Sequence, residues 1–394
     1  MRIGVDATSW SNRRGYGRYT RSLLTAALEL DQPNQYTFFV DYESTEFPLP
    51  SSVEVCRVAT KVPTIRAAGA DSRRSLPDLW AVANAVRKAK VDVIYFPTDY
   101  SYVPFFMGTP RIVTIHDAIP ELFPDLVFPT LQSKMFYRAK IRSGIHQARL
   151  LITVSEYSRR QLVEKLKIPP ARLRVVSEAA DPIFRRAASS SSGEATARWG
   201  IPAEAKCLIY VGGFSPHKNL LMLLDMVREL VSRDAFRDLR LVLVGDYAGD
   251  PFHSCYGQLS ERVRLDGLEK NVLFTGRLED EDLIVLLTKA DALVLPSFSE
   301  GFGLPGVEAA ACGTPVLATT ESPLPELLGE GAIAVAPADR SGWLRAIERV
   351  LTDTELRRRM SAAALGAARR LSWSNSACQL LSVFDEVRRN GASA

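Results

Sequence analysis

The chain has 394 residues, enough for two domains of ordinary size. Its 46% hydrophobic and 24% charged content excludes a disordered or fibrous chain, and no apolar run reaches the ~18–20 residues that cross a bilayer. The charge divides unevenly, with 26 Lys/Arg against 18 Asp/Glu in residues 1–185 and 23 against 27 in residues 186–394.

A basic N-terminal half reads in two ways. It is a surface for an anionic partner, such as a phosphate-bearing acceptor or an acidic membrane, or it is chance surface composition. No nucleic-acid partner is expected, because no recognised binding module occurs. Five scattered cysteines without metal-ligand spacing read as reduced thiols. Met1–Asp6 enters a strand-like run without the apolar core of a secretory leader, so a cytoplasmic location is expected.

Arg2–Asp6 reads as a first strand. Trp10–Tyr19 follows, carrying Gly15, Tyr16, Gly17 and Arg18, and then a helical pattern runs through Leu30. Glycines and arginines between a strand and a helix mark a phosphate or carboxylate site, though a tight turn explains Gly-x-Gly equally well. Tyr36–Asp41 is a second strand. Residues 43–75 read as loop, with Arg66, Arg73 and Arg74, and a helix follows over Leu76–Lys90.

Val91–Phe96 and Arg111–Ile115 have the continuous apolar character of buried parallel strands. The second ends in His116-Asp117, at the sheet edge where open α/β folds bind ligands. A hydrogen-bonded loop histidine is the plain alternative for His116. A helix over Thr130–Ala148 mixes Phe128, Met135, Phe136 and Tyr137 with Lys134, Arg138, Lys140 and Arg142. It reads either as a helix lying on an anionic membrane or as one with a buried face and a solvated face. Leu150–Val154 is a strand, Ser155 is suited to cap the next helix, and Arg174–Ser177 is a last short strand. Alternation of this kind predicts an α/β fold with a doubly wound parallel sheet.

Four serines and a glycine at 189–193 read as a linker or surface loop, so the junction is expected at about 185/186. The second half repeats the pattern. Cys207–Val211 is a strand, and Gly212–Asn219 is a glycine-opened loop. Its Lys218 precedes a helix and is placed to meet a phosphate as a point charge, although surface lysines are common. Leu239–Val244 and Val272–Thr275 are strands, the latter ending in Gly276-Arg277-Leu278. Ala292–Pro296 is a buried strand that opens S-F-S-E-G-F-G-L-P-G-V-E-A-A-A-C-G-T, residues 297–314. Strands at 315–318 and 333–335 and helices near 354–371 and 375–389 complete the chain.

The 297–314 stretch carries the most chemistry. A strand, a glycine-rich turn and a helix start form an anion site, because backbone N–H groups come close and the helix dipole favours negative charge. Glu300 and Glu308 bracket the glycines. Facing a phosphate they would repel it, so they fit better as acceptors for hydroxyl groups. A ligand with phosphate in the middle and hydroxyls at both ends, such as a nucleotide sugar, meets that description.

These pieces together resemble family 4 of the retaining glycosyltransferases, over nearly the whole chain and most strongly over 206–340. The carrying motif is E-x7-E at Glu300 and Glu308 with its Gly-Phe-Gly-Leu insert. Tyr210-Val211-Gly212-Gly213, Lys218-Asn219, Phe274–Arg277 and Thr114–Asp117 support it. The resemblance implies a GT-B fold, two Rossmann-like doubly wound parallel-sheet domains facing a deep cleft. Residues 1–185 would bind the acceptor, 186–371 the donor, and 372–394 would form a helix packing back on the first domain.

It also implies roles. Glu300 would accept hydrogen bonds from the donor sugar and Glu308 from the ribose. Gly301, Phe302, Gly303 and Leu304 would line the diphosphate and sugar, and Lys218 would neutralise the leaving diphosphate. His116 would contact the donor sugar at the reacting centre. The Gly15–Gly17 loop would close over the diphosphate, with Tyr16, Arg18 and Asp117 on the acceptor side and Arg277 and Leu278 near the base. Gly213 stands where many members carry arginine, which leaves Lys218 with more of the charge, helped by Arg14 or Arg18.

The implied reaction is retaining, metal-independent transfer of a hexose such as mannose or glucose from a nucleoside diphosphate to an acceptor hydroxyl, with no cofactor. The partners implied are the nucleotide sugar and a saccharide, lipid-linked or small acceptor, with peripheral contact at the inner face of an anionic membrane. A nucleotide-sugar epimerase, a phosphorylase and a non-catalytic sugar-binding subunit remain the competing readings.

Overall fold

A computed structural model describes residues 1–31, 33–41, 46–64, 75–105, 108–187, 196–247 and 254–391. Arg66, Arg73, Arg74 and the serine run at 189–193 lie outside the described residues. The chain forms two compact units, Met1–Glu178 together with the stretch from Ser372, and Ala179–Leu371. The passage between them falls at Glu178/Ala179, ahead of the expected 185/186. Phe184 is buried, Arg186 donates to Ser361 Oγ (3.3 Å), and the Ala187 N–H donates to Thr288 Oγ1 (3.1 Å), so 179–187 is held by the second unit.

The first unit is built on seven parallel strands: β1 (Arg2–Asp6), β2 (Gln35–Val40), β3 (Glu54–Arg57), β4 (Val93–Phe96), β5 (Arg111–Thr114), β6 (Leu150–Thr153) and β7 (Leu173–Val175). Their order is β3-β2-β1-β4-β5-β6-β7. Central strands such as Val93-Ile94-Tyr95-Phe96 are buried along their whole length, because helices cover both faces. The strand β3 corrects the reading of 43–75 as loop. It pairs with β2 from Thr37↔Glu54 to Val40↔Arg57. As an edge strand with exposed Glu54 and Arg57 it has no continuous apolar run to announce it.

Helix Gly15–Leu30 follows β1, and the C-terminal helix Trp373–Gly391 packs beside it. Ala377, Leu380, Phe384 and Val387 form the buried stripe of that last helix, at the three- and four-residue spacing of one helical face. Phe384 meets the Tyr95 ring edge-on at 5.8 Å, and Glu386 takes Arg174 in a bidentate pair at 2.8 and 2.6 Å.

The second unit carries β8 (Cys207–Val211), β9 (Arg240–Val244), β10 (Val272–Gly276), β11 (Ala292–Leu295), β12 (Val316–Thr319) and β13 (Ala332–Val335). All are parallel, in the order β10-β9-β8-β11-β12-β13. In each sheet the order reverses once, between β1 and β4 and between β8 and β11. Loops leaving the carboxyl ends of those strand pairs splay apart there and open a ligand crevice.

Candidate active site

In the second unit the reversal point is flanked by the loops after β8 and β11. Backbone and side-chain bonds tie them together. The Phe298 N–H donates to the His217 carbonyl at 2.9 Å, and Asn219 Nδ2 donates to the Pro296 and Pro337 carbonyls at 3.1 and 3.2 Å. Asn219 adopts a left-handed conformation (φ +58°) at the start of helix Leu220–Val231. That turn follows a single 3₁₀ turn, Pro216–Lys218, and delivers Lys218 across the crevice.

Lys218 Nζ lies 2.8 and 3.0 Å from the two oxygens of Glu300. Ser297 Oγ donates to the same carboxylate at 2.6 Å, and the Glu300 N–H donates to the Glu321 carbonyl at 3.0 Å. Lysine and glutamate are each largely buried. Two residues read separately in the sequence, one for phosphate and one for sugar, form one ion pair. Ser297 and Asn219 belong to the same sequence segments, where nothing by itself gives them a role. A hydroxyl three residues before the glutamate was the available signal for the first.

Past Glu300 the chain turns through Gly303 (φ +82°) into helix Leu304–Ala311, with Pro305 in its first turn and no side chain capping its start. Gly303 is required twice over. Its φ is one that side chains rarely adopt, and a Cβ would sit 2.7 Å from Leu324 Cδ1. Pro305 has no N–H and those of Gly306 and Val307 return to the Gly303 carbonyl at 2.8 and 3.4 Å, so an anion at this uncapped start would be met by the N–H groups ahead of Pro305. Phe302 and Leu304 are buried beside it. Glu308, one turn along, is buried next to Cys312, whose thiol is pushed up to about 12 by burial and then by the Glu308 charge.

At the neighbouring strand ends Tyr210 Oη donates to the Gly213 carbonyl at 2.6 Å. Gly276 (φ +72°) closes β10, directly before Arg277 and Leu278. Tyr247 lies against Gly276 and stacks on Tyr256, with centroids 4.3 Å apart and rings 8° from parallel. This aromatic pair was not singled out in the sequence, because Tyr247 belongs to a loop and Tyr256 to the next helix. His217, beside Lys218, is held neutral: burial, and then the lysine charge, lowers its pKa well below the ordinary value.

In the first unit, helix Gly15–Leu30 starts just after β1 with no acidic residue in its first turn. The two readings of Gly-x-Gly separate here. A Cβ on Gly17 would collide with the Asn12 carbonyl, whereas one on Gly15 would meet nothing within 4 Å. Gly17 is therefore needed for the turn, and Gly15 is not. Arg18 follows on the same turn of the helix.

His116 leaves the end of β5 into a pocket between Tyr16 and Tyr19, whose rings it meets edge-on at 4.9 and 4.7 Å. Its Nε2 is 3.0 Å from the Pro97 carbonyl, and its Nδ1 is 3.6 Å from Glu178 Oε1. Burial alone would lower its pKa, but Glu178, Pro97 and Asp99 outweigh that and raise it. Tyr16 is pushed well above the usual phenol range by burial and then by Asp117 and Asp99. Asp117 itself accepts from the Ile119 N–H at 2.9 Å, closing a local turn. Glu178 carried no sequence signal at all.

Among the described residues no helix is long and apolar enough to cross a membrane.

Two family models match the chain in turn: glycosyltransferase family 4 over residues 14–183 and glycosyl transferases group 1 over residues 192–366. A D-inositol 3-phosphate glycosyltransferase of Corynebacterium efficiens is 33% identical over 230 residues, 57% of this chain and 54% of that protein. The chain thus spans a little over half the length of that relative. An O-antigen chain mannosyltransferase B of Escherichia coli is 28% identical over 298 residues, 74% of each protein. The Anabaena HepE structure in complex with UDP and glucose superimposes with a TM-score of 0.75 at 18% identity, covering 98% of this chain and 99% of that one.

Proposed function

This chain belongs to the group 1 and family 4 glycosyltransferases, and from that premise we propose that it moves a hexose from a nucleoside-diphosphate sugar to an acceptor hydroxyl with retention of configuration, in the synthesis of a surface polysaccharide or glycolipid. The observation that carries this reading is the Lys218–Glu300 pair, held at the reversal point of the second sheet beside an uncapped helix start.

A lysine ammonium has three N–H donors, and Glu300 uses only part of them. Lys218 therefore takes up charge developing on the leaving diphosphate, together with the N–H groups at Phe302–Leu304. Glu300, with acceptor capacity beyond Lys218 and Ser297, takes sugar hydroxyls. Glu308 takes the ribose, and Arg277 and Leu278 lie by the base. His116 contacts the sugar, while Gly15, Tyr16, Gly17, Arg18 and Asp117 serve the diphosphate loop and the acceptor. The leaving phosphate oxygen accepts the acceptor's proton on the same face of the sugar, so no side-chain base, cofactor or metal is required. The mannosyl- and glycosyltransferase names of its relatives support a hexose donor.

The exposed Leu131, Met135 and Phe136 on helix Leu131–Gln147 extend the proposal to peripheral contact with an anionic membrane. Binding to anionic but not neutral vesicles is the expected result, and equal binding to both sinks that part.

A thermal-shift screen of UDP-, GDP-, ADP- and dTDP-sugars identifies the donor. At 100 times its dissociation constant a ligand adds about 2.7 kcal/mol of apparent stability. Transfer in the presence of EDTA, with the anomeric configuration of the product read by NMR, tests the chemistry. An inverted product overturns retention, and activity abolished by EDTA overturns metal independence.

A further inference from the structure

We propose that Glu178 is the positioning residue of His116, holding its ring as an imidazolium between the Glu178 carboxylate and the Pro97 carbonyl, so that both ring N–H groups are taken and His116 stands in the site as a fixed cation and not as a base. The inference rests on His116 belonging to the transferase site described above.

The geometry leaves little choice of protonation. A carbonyl oxygen only accepts, so Nε2, 3.0 Å from the Pro97 oxygen, carries a hydrogen. The other nitrogen, Nδ1, faces Glu178 Oε1 at 3.6 Å. In the neutral ring with hydrogen on Nε2, Nδ1 would aim a lone pair at a carboxylate. His116 is 7% and Glu178 6% exposed, so water screens little of that repulsion. A proton on Nδ1 turns the repulsion into an ion pair. Tyr16 and Tyr19 wall the ring on its edges and restrict its rotation.

The surrounding charges agree. From the loop after β4, Asp99 favours the cation. Lys140, on helix Leu131–Gln147, sits beside Asp99 and donates to the Tyr100 carbonyl. From helix Gly15–Leu30 the neighbours are the neutral phenols of Tyr16 and Tyr19. Asp117, next in the chain, is engaged by the Ile119 N–H. The backbone leading into Glu178 is held in place. The Ser177 N–H donates to Gln379 Oε1 at 2.9 Å, and the Val176 N–H donates to the Thr153 carbonyl at 2.9 Å. A carboxylate carried on an anchored segment can fix an imidazole's orientation as well as its charge.

The test is direct, because the chain has four histidines and their ring nitrogens can be assigned one at a time by His→Gln substitution. Long-range ¹H–¹⁵N NMR of the whole chain, titrated from pH 5 to 9, should show the His116 midpoint above its ordinary value of 6.5. In Glu178→Gln the titration should move down by roughly one unit, a tenfold fall in the ratio of protonated to neutral ring at a given pH. Glu178→Asp, which keeps the charge, should restore most of it. The alkaline limb of kcat/KM should shift with the NMR titration. A wild-type His116 that titrates at or below its ordinary range overturns the proposal. So does a Glu178→Gln protein that folds and loses activity while His116 titrates unchanged, because that marks a merely structural role. If Glu178→Gln does not fold, the wild-type and Glu178→Asp titrations decide. A chain that transfers no sugar but shows the expected titrations sinks the transferase reading alone.

Discussion

Glu300 closes both carboxylate oxygens on the Lys218 ammonium, at 2.8 and 3.0 Å, while Ser297 holds one of them at 2.6 Å. On the proposed reading, the cation meant for the diphosphate rests on the carboxylate meant for the sugar, and a diphosphate entering beside them would compete for the same ammonium. The two residues act as one electrostatic unit, whatever separate labels they carry.

That coupling is measurable. Lys218→Ala should lower the single-turnover rate by roughly 10²-fold or more, the scale of losing one preorganised transition-state partner. Glu300→Gln keeps the shape and removes the charge. The double variant should lose far less than the product of the two single losses, because members of one network are not additive. Losses that multiply cleanly would mean two independent roles.

The helix start behind this pair is sterically unforgiving. Gly303→Ala should cost about 1–3 kcal/mol in urea unfolding, from the left-handed backbone and from the Cβ placed against Leu324. Adding Leu324→Ala should relieve the collision but not the backbone strain. The double variant should therefore be more stable than the sum of the two single costs predicts. A fully additive pair excludes the collision.

The C-terminal helix offers a contrast of magnitudes. Arg174–Glu386 is bidentate but both side chains remain about a third exposed, so Glu386→Ala should cost under about 1 kcal/mol. Phe384 is buried against Tyr95, and Phe384→Ala should cost about 3–5 kcal/mol. A larger cost for Glu386→Ala than for Phe384→Ala in denaturant titrations would mean that the ion pair, more than apolar burial, holds this helix.

Thiol chemistry should sort the cysteines. Burial pushes Cys207 and Cys312 up to about 12, which keeps both as thiols at pH 8, whereas Cys378 is exposed. Alkylation of the native protein, followed by mass spectrometry, should modify Cys378 first and leave Cys207 and Cys312 untouched until the chain unfolds. Early labelling of Cys312 would mean that the helix carrying Glu308 opens readily.

The His116–Glu178 pair also sets a pH dependence of stability. The folded state raises the histidine above 6.5, so the pair's contribution is fully present below pH 6.5 and is lost as pH rises through the folded value. Glu178→Gln should therefore cost more stability at pH 6 than at pH 9. Unfolding curves at the two values check the sign, and a larger cost at pH 9 reverses it.

By itself the sequence determined the two parallel sheets, most of the strand positions and the chemistry of 297–314. These signals are local. Val93–Phe96, Cys207–Val211 and Ala292–Leu295 are apolar without alternation because helices cover both sheet faces. Ser155 is readable as a cap because its hydroxyl accepts from an N–H only three residues on. The glycine turn and the Pro305 helix start are likewise written within ten residues. The edge strand Glu54–Arg57 escaped because, half-exposed, it needs no apolar run.

Only the tertiary structure decided which of these residues act together. Lys218 and Glu300 stand 82 residues apart and meet because β8 and β11 are neighbours at the reversal of one sheet. Glu178, three residues past β7, meets His116, two residues past β5, and Tyr247 stacks on Tyr256 from nine residues away. Local periodicity records which face of an element is buried. Strand order decides which loops converge, and burial then makes a charge pair a matter of angles and distances that no single segment carries.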